Sequence, residues 1–211
     1  MGRHREFDAD KVLDAAMRVF WSKGYEGTSY ADLVAAAGVE RPALYAAFGN
    51  KETLFLKALA RYDERYLGYI PEAIRRPTAR DVAAHMFFKS VELNTRFPEH
   101  RGCLGLNGAL AGSDDAEPIR QALIAFRVAG QEKLRERFEQ AKADGDLPRT
   151  ARSDVLAAFV MTTTQGLAVQ AKSGLSRDML DLVAEQALAA WPIGPPSPPS
   201  GSGPVHRRRR T

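Results

Sequence analysis

The side chains best suited to chemistry in this sequence lie between residues 28 and 52, and their types favour contact with nucleic acid. This segment reads TSYADLVAAAGVERPALYAAFGNKE. Two short helix patterns are separated by a tight turn at Ala37-Gly38-Val39, and a third helix follows a break at Gly49-Asn50. The arrangement is typical of a helix-turn-helix, whose second helix enters the major groove of DNA.

The second helix of this motif would carry the contacts to bases. Its outward side chains are mostly small, which lets the helix approach base edges and thymine methyl groups closely; they belong to Arg41, Pro42, Ala43, Tyr45, Ala46 and Ala47. Tyr45 and Lys51 flank this helix and suit phosphate contacts, which fix the register on DNA without reading sequence. Thr28 and Ser29 begin the preceding helix, where hydroxyl and free N–H groups would face a further phosphate.

Almost every segment that must position these groups reads as helix up to residue 192. Apolar residues recur at helical spacing and N-cap residues precede the segments; the predicted caps are Asp8 or Asp10, Thr28 or Ser29, Asn50, Thr78, Ser113-Asp114-Asp115, Ser153 or Asp154, and Ser176. The pattern predicts nine helices and no pair of strands, which is an all-α fold. Residues 193–211 are rich in Pro, Gly and Ser and end in arginines, so we expect a disordered basic tail there.

The composition excludes several other classes of protein. The chain is 45% hydrophobic and 27% charged. It has no apolar run of about 20 residues that would span a bilayer, and it begins with polar residues rather than a secretory signal. A single cysteine, Cys103, rules out an internal disulfide framework. We therefore expect a cytoplasmic protein without membrane contact.

The net charge of +4 is weak evidence for nucleic-acid binding, because the arginines at 207–210 account for it. The terminal HRRRRT either adds nonspecific attraction to DNA or is an inert end. Arg3 and Arg5 form either an arm that reaches the adjacent minor groove or a solvated tail. The case for DNA binding therefore depends on the helix-turn-helix pattern itself.

The segment GYEGTSYADLVAAAGVERPALYAAFGNKETLF resembles the DNA-binding head of the TetR family of bacterial transcriptional regulators. The helix number and the chain length agree with that family along nearly the whole chain. The resemblance implies a homodimeric repressor that binds a palindromic operator in double-stranded DNA and leaves it when a small-molecule effector fills a pocket. It also implies three parts: a DNA-binding domain at 1–50, an effector-binding and dimerisation domain at 51–192, and the tail at 193–211.

The same resemblance assigns individual residues to roles. Tyr45 and Lys51 match phosphate-contacting positions of the family, and four residues match its base-facing positions: Arg41, Pro42, Ala43 and Ala46. Pro42 and the Ala46-Ala47 pair depart from the family pattern, in which flexible, polar or aromatic residues are more usual. Base reading would therefore depend on Arg41 and on contacts with methyl groups.

A second copy of the chain is needed because two recognition helices must lie about 34–36 Å apart to enter successive major grooves. The last two predicted helices are apolar on more than one face and are candidates for this interface: Val155, Leu156, Phe159, Val160, Thr163, Gly166, Leu167, Met179, Leu180, Val183, Ala187, Leu188 and Trp191. Paired across a twofold axis they would form a four-helix bundle. The alternative is that they form the core of a monomer.

The middle helices are expected to enclose the effector site, since helical bundles hold mostly apolar pockets between their helices. The candidate contacts are His85, Met86, Phe88, Cys103, Asn107, Phe126, Met161 and Gln165. Each has an alternative role as an ordinary core residue, and the sequence does not identify the effector.

Cys103 has two interpretations. It lies at the predicted start of a short helix, where free N–H groups and nearby His100 and Arg101 favour a thiolate that senses oxidants or electrophiles. Some TetR-family regulators use cysteine in this way. The alternative is a small buried hydrophobe.

Other kinds of function have little support in the sequence. There is no Gly-rich phosphate loop, HExxH, nucleophile elbow or Glu-x-x-His pair, so we expect no cofactor and no enzymatic activity. His100 and Cys103 supply two metal ligands where a zinc site needs three or four. The remaining alternatives are a nucleophile and base formed by Cys103 with His85 or His100, and an interaction module that does not bind DNA.

Overall fold

The computed structural model describes residues 8–109 and 116–192, with no side-chain description for 107–109. The predicted arm at Arg3 and Arg5 and the predicted basic tail at 193–211 lie outside these residues.

The described part of the chain contains ten α-helices and no strands. They are α1 (Ala9–Lys23), α2 (Tyr30–Ala37), α3 (Arg41–Phe48), α4 (Lys51–Tyr66), α5 (Tyr69–Ile74), α6 (Ala79–Arg96), α7 (Leu104–Ala109), α8 (Glu117–Ala143), α9 (Ser153–Lys172) and α10 (Arg177–Ala189). A short 3-10 turn lies at Pro98–His100. The all-α prediction is confirmed.

The nine predicted helices do not include α5, a short helix that contains Pro71. Pro71 occupies the third position of this six-residue helix. The first four N–H groups of a helix have no partner within it, so proline costs little there.

Five of the seven predicted N-caps are confirmed by their hydrogen bonds. The Ser29 hydroxyl accepts from Asp32 N while the Asp32 carboxylate accepts from Ser29 N, which completes a capping box. The other caps accept from the backbone three residues on: Asp8, Asn50, Thr78 and Ser176. Local pattern alone was sufficient to place these helix starts.

The cap predicted at Ser153 or Asp154 is wrong, because the N-cap of α9 is Arg152, which makes no side-chain cap hydrogen bond. The cap predicted at residues 113–115 lies outside the described residues.

Two clusters of buried side chains hold the fold together. The first joins α1–α4 and includes Met17, Phe20, Leu33, Leu44 and Phe48. It continues through α4 into residues of α6, α7 and α8. The second cluster packs α5, α6, α8, α9 and α10 together. The three short N-terminal helices therefore share a core with the larger helical part.

Candidate DNA-binding surface and internal cavity

The helix-turn-helix is built by α2, a tight turn and α3. Gly38 has φ 65° and ψ 31°, the left-handed region in which a residue with a side chain is strained. Its N–H donates to Val34 O at 2.9 Å and so closes α2. Leu33, Leu44 and Phe48 are buried and fix α3 against the rest of the head, by which we mean residues 8–50.

The outer face of α3 is open to solvent. Arg41, Pro42, Ala46 and Ala47 are exposed, and Ala43 is half-buried. Tyr45 is 36% exposed. Pro42 lies in the first turn, where its missing N–H has no consequence. The residues predicted to face DNA therefore share one accessible surface.

A cluster around Tyr30 orders this surface, and sequence reasoning missed it. The Tyr30 and Tyr45 rings stack with centroids 5.0 Å apart. The Arg41 guanidinium carbon lies 4.4 Å from the Tyr30 ring centroid, and Arg41 Nη2 donates to Tyr45 OH at 3.1 Å. We call Tyr30, Arg41 and Tyr45 the tyrosine–arginine cluster. The only signal in the sequence was two tyrosines and an arginine close to the same turn.

Lys51 borders this surface at the start of α4. Its backbone N–H donates to Tyr30 OH at 3.0 Å, and its Nζ lies 4.6 Å from the Tyr25 ring centroid. Partial burial lowers the pKa of Lys51. The ammonium group of this side chain thus lies over an aromatic ring and also within reach of the Glu26 charge.

The start of α2 offers less to a phosphate than the sequence predicts. Thr28 is 1% exposed, its hydroxyl donates to Gly24 O at 2.6 Å, and its N–H donates to Tyr25 O. The predicted phosphate contact from Thr28 does not fit this geometry. Ser29 is exposed, but its hydroxyl and N–H both donate to Asp32, whose pKa is lowered chiefly by the Lys23 ammonium.

An internal cavity of about 500 Å³ opens between the middle helices. Five of the eight predicted effector contacts line it: Met86, Cys103, Phe126, Met161 and Gln165. Phe88 does not line the cavity and is exposed to solvent, so that prediction is wrong. Asn107 lies on α7, and its side chain is outside the described part of the structure.

His85 does not line the cavity, so that prediction is wrong. Its Nδ1 accepts from Arg76 Nε at 3.2 Å, and its Nε2 lies 3.5 Å from a Glu72 carboxylate oxygen. Burial, and then the Arg76 charge, lowers the pKa of His85. The next residue, Met86, faces the cavity because consecutive residues differ by about 100° around a helix.

The wall of the cavity is mostly apolar, with uncharged polar groups and the charged residues Asp63, Glu64, Arg127 and Lys133 also lining it. Ser90, Asn94 and Thr164 line it beside Met86 and Leu93. Asn94 Nδ2 donates to the Ser90 backbone at 2.7 Å, while Asn94 Oδ1 and Thr164 Oγ1 accept no hydrogen bond from any described residue. A mostly apolar wall with a few polar groups is typical of a small-molecule site.

Two hydrogen bonds connect the cavity wall to α1 through Gly102. We call the three residues that form them, Asn94, Gly102 and Trp21, the strap. Gly102 N donates to the backbone oxygen of Asn94 at 3.2 Å, and Gly102 O accepts from Trp21 Nε1 at 2.6 Å. Gly102 has φ 84°, and a Cβ there would lie 3.0 Å from Lys172 Cβ. Lys172 Nζ in turn donates to Ser22 O at 2.7 Å. The cavity and the head are therefore joined by short, direct contacts.

Cys103 follows this strap and lines the cavity as a half-buried free thiol. His100 stacks on Trp21 with ring centroids 5.8 Å apart, and burial lowers its pKa. Within residues 8–109 and 116–192, no group of three or more His, Cys, Asp or Glu could hold a metal ion. Among the same residues, no helix is long and apolar enough to cross a bilayer.

One side of α9 and α10 exposes only uncharged residues, most of them apolar or small. We call it the α9–α10 surface; it comprises Val155, Thr162, Gly166, Val169, Met179, Val183 and Gln186. Several residues predicted for a dimer interface are instead buried within the chain: Val160, Leu167, Leu180, Leu188 and Trp191. One face of these two helices is therefore core, and the other is exposed to solvent.

Comparison with known proteins agrees with this geometry. Residues 12–58 match the family described as bacterial regulatory proteins, tetR family. The HTH-type transcriptional repressor ComR of Escherichia coli K12 is 33% identical over 193 residues, which cover 90% of this chain and 92% of ComR. The repressor BdcR of the same organism is 27% identical over 189 residues, which cover 88% of this chain and 90% of BdcR.

A solved structure is also similar. It is a cysteine mutant of the TetR family transcriptional regulator CifR, complexed with a 26-base-pair double-strand operator DNA. The sequences are 43% identical, the TM-score is 0.84, and the match covers 90% of this chain and all of that one.

Proposed function

The chain belongs to the TetR family of DNA-binding transcriptional regulators, and from this premise we propose that it acts as a homodimeric repressor of a palindromic operator. A small molecule or a thiol-reactive compound entering the cavity would release it from DNA. Members of this family regulate transcription and are not enzymes, so the alternative of Cys103 as a catalytic nucleophile lapses.

The exposed outer face of α3 is the observation that carries the proposal. Six of the eight predicted DNA-contacting residues lie on α3 or at its edge: Arg41, Pro42, Ala43, Tyr45, Ala46 and Lys51. The experiment is selection of bound fragments from the source genome by the purified full chain. We expect recovery of fragments that share a palindrome; recovery of random fragments would contradict the proposal.

Replacing Lys51 with alanine should weaken binding to operator and random DNA by similar factors. A cation that contacts phosphate releases a counterion without reading sequence, so its loss should flatten the dependence of log affinity on log salt by about one unit per protomer. Fluorescence anisotropy across a salt series measures both quantities.

Lys89 on α6 provides the matched control. It is paired with Glu92 at 2.7 Å and lies far along the chain from the head. Lys89→Ala should leave the salt dependence unchanged. An equal slope for Lys51→Ala and the parent protein would remove Lys51 from the set of phosphate contacts.

The α9–α10 surface supports the homodimer. An exposed glycine in the middle of a helix costs about 1 kcal/mol relative to alanine. No heavy atom lies within 4 Å of the position that a Gly166 Cβ would occupy, so contacts within the chain do not explain this glycine. Close packing of α9 against a second copy of the chain does explain it, and the twofold pairing makes a four-helix bundle.

The cavity and the strap support release by an effector. Asn94 contributes its side chain to the cavity wall, and its backbone oxygen holds Gly102, which holds Trp21 of α1. An effector that displaces α6 near Asn94 would move α1 through these hydrogen bonds. The orientation of α3 on the DNA would change as a result. Such a molecule would contact Met86, Cys103, Phe126, Met161 and Gln165 in the cavity.

Alkylation of Cys103 with N-ethylmaleimide should lower operator affinity, since the adduct occupies the cavity beside the strap. Cys103 is the only cysteine in the chain, so mass spectrometry can confirm a single adduct. The Cys103→Ser variant should bind operator and keep its affinity after the same treatment. If Cys103→Ser is released as readily as the parent, the thiol is not the sensor, and the effector proposal then stands on the cavity alone.

A further inference from the structure

Tyr30 is anchored where α2, α3 and α4 meet. It is the first residue of α2, its ring stacks on Tyr45 of α3, and its hydroxyl accepts the first N–H of α4 from Lys51. These two contacts restrain the ring on one side and at its tip. The position and orientation of the Tyr30 ring are therefore fixed in the protein without DNA.

Arg41 lies against this fixed ring. Its guanidinium carbon is 4.4 Å from the Tyr30 centroid and 5.4 Å from the Tyr45 centroid. One amino group, Nη2, donates to Tyr45 OH. An exposed arginine ordinarily samples many rotamers, and holding it in one geometry reduces the entropy lost when it binds.

The cluster leaves Arg41 well placed to read a base. Arg41 is the first residue of α3, and the N-terminal residues of a recognition helix are those that reach base edges. A planar guanidinium in fixed orientation matches the O6 and N7 acceptors of guanine in the major groove. Arg41 is also the only charged side chain on α3, since the other seven residues of that helix are apolar, proline or tyrosine.

We propose that Tyr30 is a positioning residue that orients Arg41 to read one guanine in each operator half-site. This inference rests on the proposed function, because it requires specific binding to an operator. Tyr30 acts through Arg41, so its loss should alter the choice of one base pair rather than binding as a whole.

The experiment measures base preference at every operator position by competition with single-base variants. The parent protein should prefer guanine at one half-site position by roughly 10- to 100-fold. Arg41→Ala and Tyr30→Leu should both reduce the preference at that position to less than about threefold and leave the other positions unchanged. The double variant should lose no more than Arg41→Ala alone, because the two residues serve one contact.

Tyr30→Phe tests the role of the ring. It keeps the surface on which Arg41 stacks and removes the acceptor of the Lys51 N–H, so the guanine preference should be retained. Tyr66→Leu is the matched control: Tyr66 is a half-buried tyrosine of α4 that packs on Trp21 and Phe97, away from α3. It should leave every base preference unchanged.

The outcomes separate this inference from the proposed function. If Tyr30→Leu keeps the guanine preference, or if its affinity falls equally for operator and random DNA, Tyr30 has a structural role and the inference is wrong. If Arg41→Ala weakens all sequences equally and flattens the salt dependence, Arg41 contacts phosphate, and the inference is again wrong. If the parent protein shows no base preference at any position, operator recognition itself fails.

Discussion

Replacing Gly166 with glutamate should convert the protein to a monomer and lower its operator affinity by at least about 100-fold. The affinity falls because a monomer keeps one recognition helix, and the second half-site no longer contributes through effective concentration. A Cβ at this position meets no other part of the chain within 4 Å, so the variant protomer has room for a side chain there. Analytical ultracentrifugation gives the oligomeric state and fluorescence anisotropy gives the affinity.

This variant separates loss of the dimer from loss of the fold. Glutamate is a better helix former than glycine, so the isolated protomer should keep its helical circular dichroism. Val128→Glu is the control, because Val128 is 63% exposed on α8, outside the α9–α10 surface. It should remain dimeric with full affinity. A dimeric Gly166→Glu protein that binds operator normally would place the dimer interface elsewhere.

Replacing Trp21 with phenylalanine should lower the free energy of unfolding by about 2 kcal/mol, since Gly102 O loses a buried indole donor. The smaller ring also leaves space among Tyr62, Tyr66 and Phe97, whose rings lie within 6 Å of Trp21. Urea unfolding followed by circular dichroism measures the change. The same variant should reduce the factor by which alkylation of Cys103 weakens operator binding, because the strap no longer holds α1.

Trp191→Phe distinguishes coupling from general destabilisation. Trp191 is buried against Phe138 and Phe159 in the second cluster, away from α1. Its replacement should also lower the free energy of unfolding, but the response to alkylation should match that of the parent protein. If Trp21→Phe responds to alkylation as fully as Trp191→Phe, the strap does not transmit the signal.

The sequence by itself determined the features that depend on neighbouring residues. Caps such as Ser29 with Asp32, the turn at Gly38 and the apolar spacing of Leu33, Leu44 and Phe48 act within a few residues of one another. These features can therefore be predicted from the types and spacing of residues in the sequence. The same local pattern, extended over residues 24–55, was long enough to identify the family.

Only the tertiary structure decided which side chains from distant segments meet. Trp21 binds a carbonyl 81 residues away, and Lys172 binds one 150 residues away. The His85 side chain contacts Arg76 instead of lining the cavity. The stacking of Arg41 on Tyr30 depends on the angle at which α2 and α3 cross. Helical periodicity predicts whether a side chain faces the core or the solvent. Which residues that side chain contacts is set by the packing of whole helices against one another, and this packing depends on all tertiary contacts together.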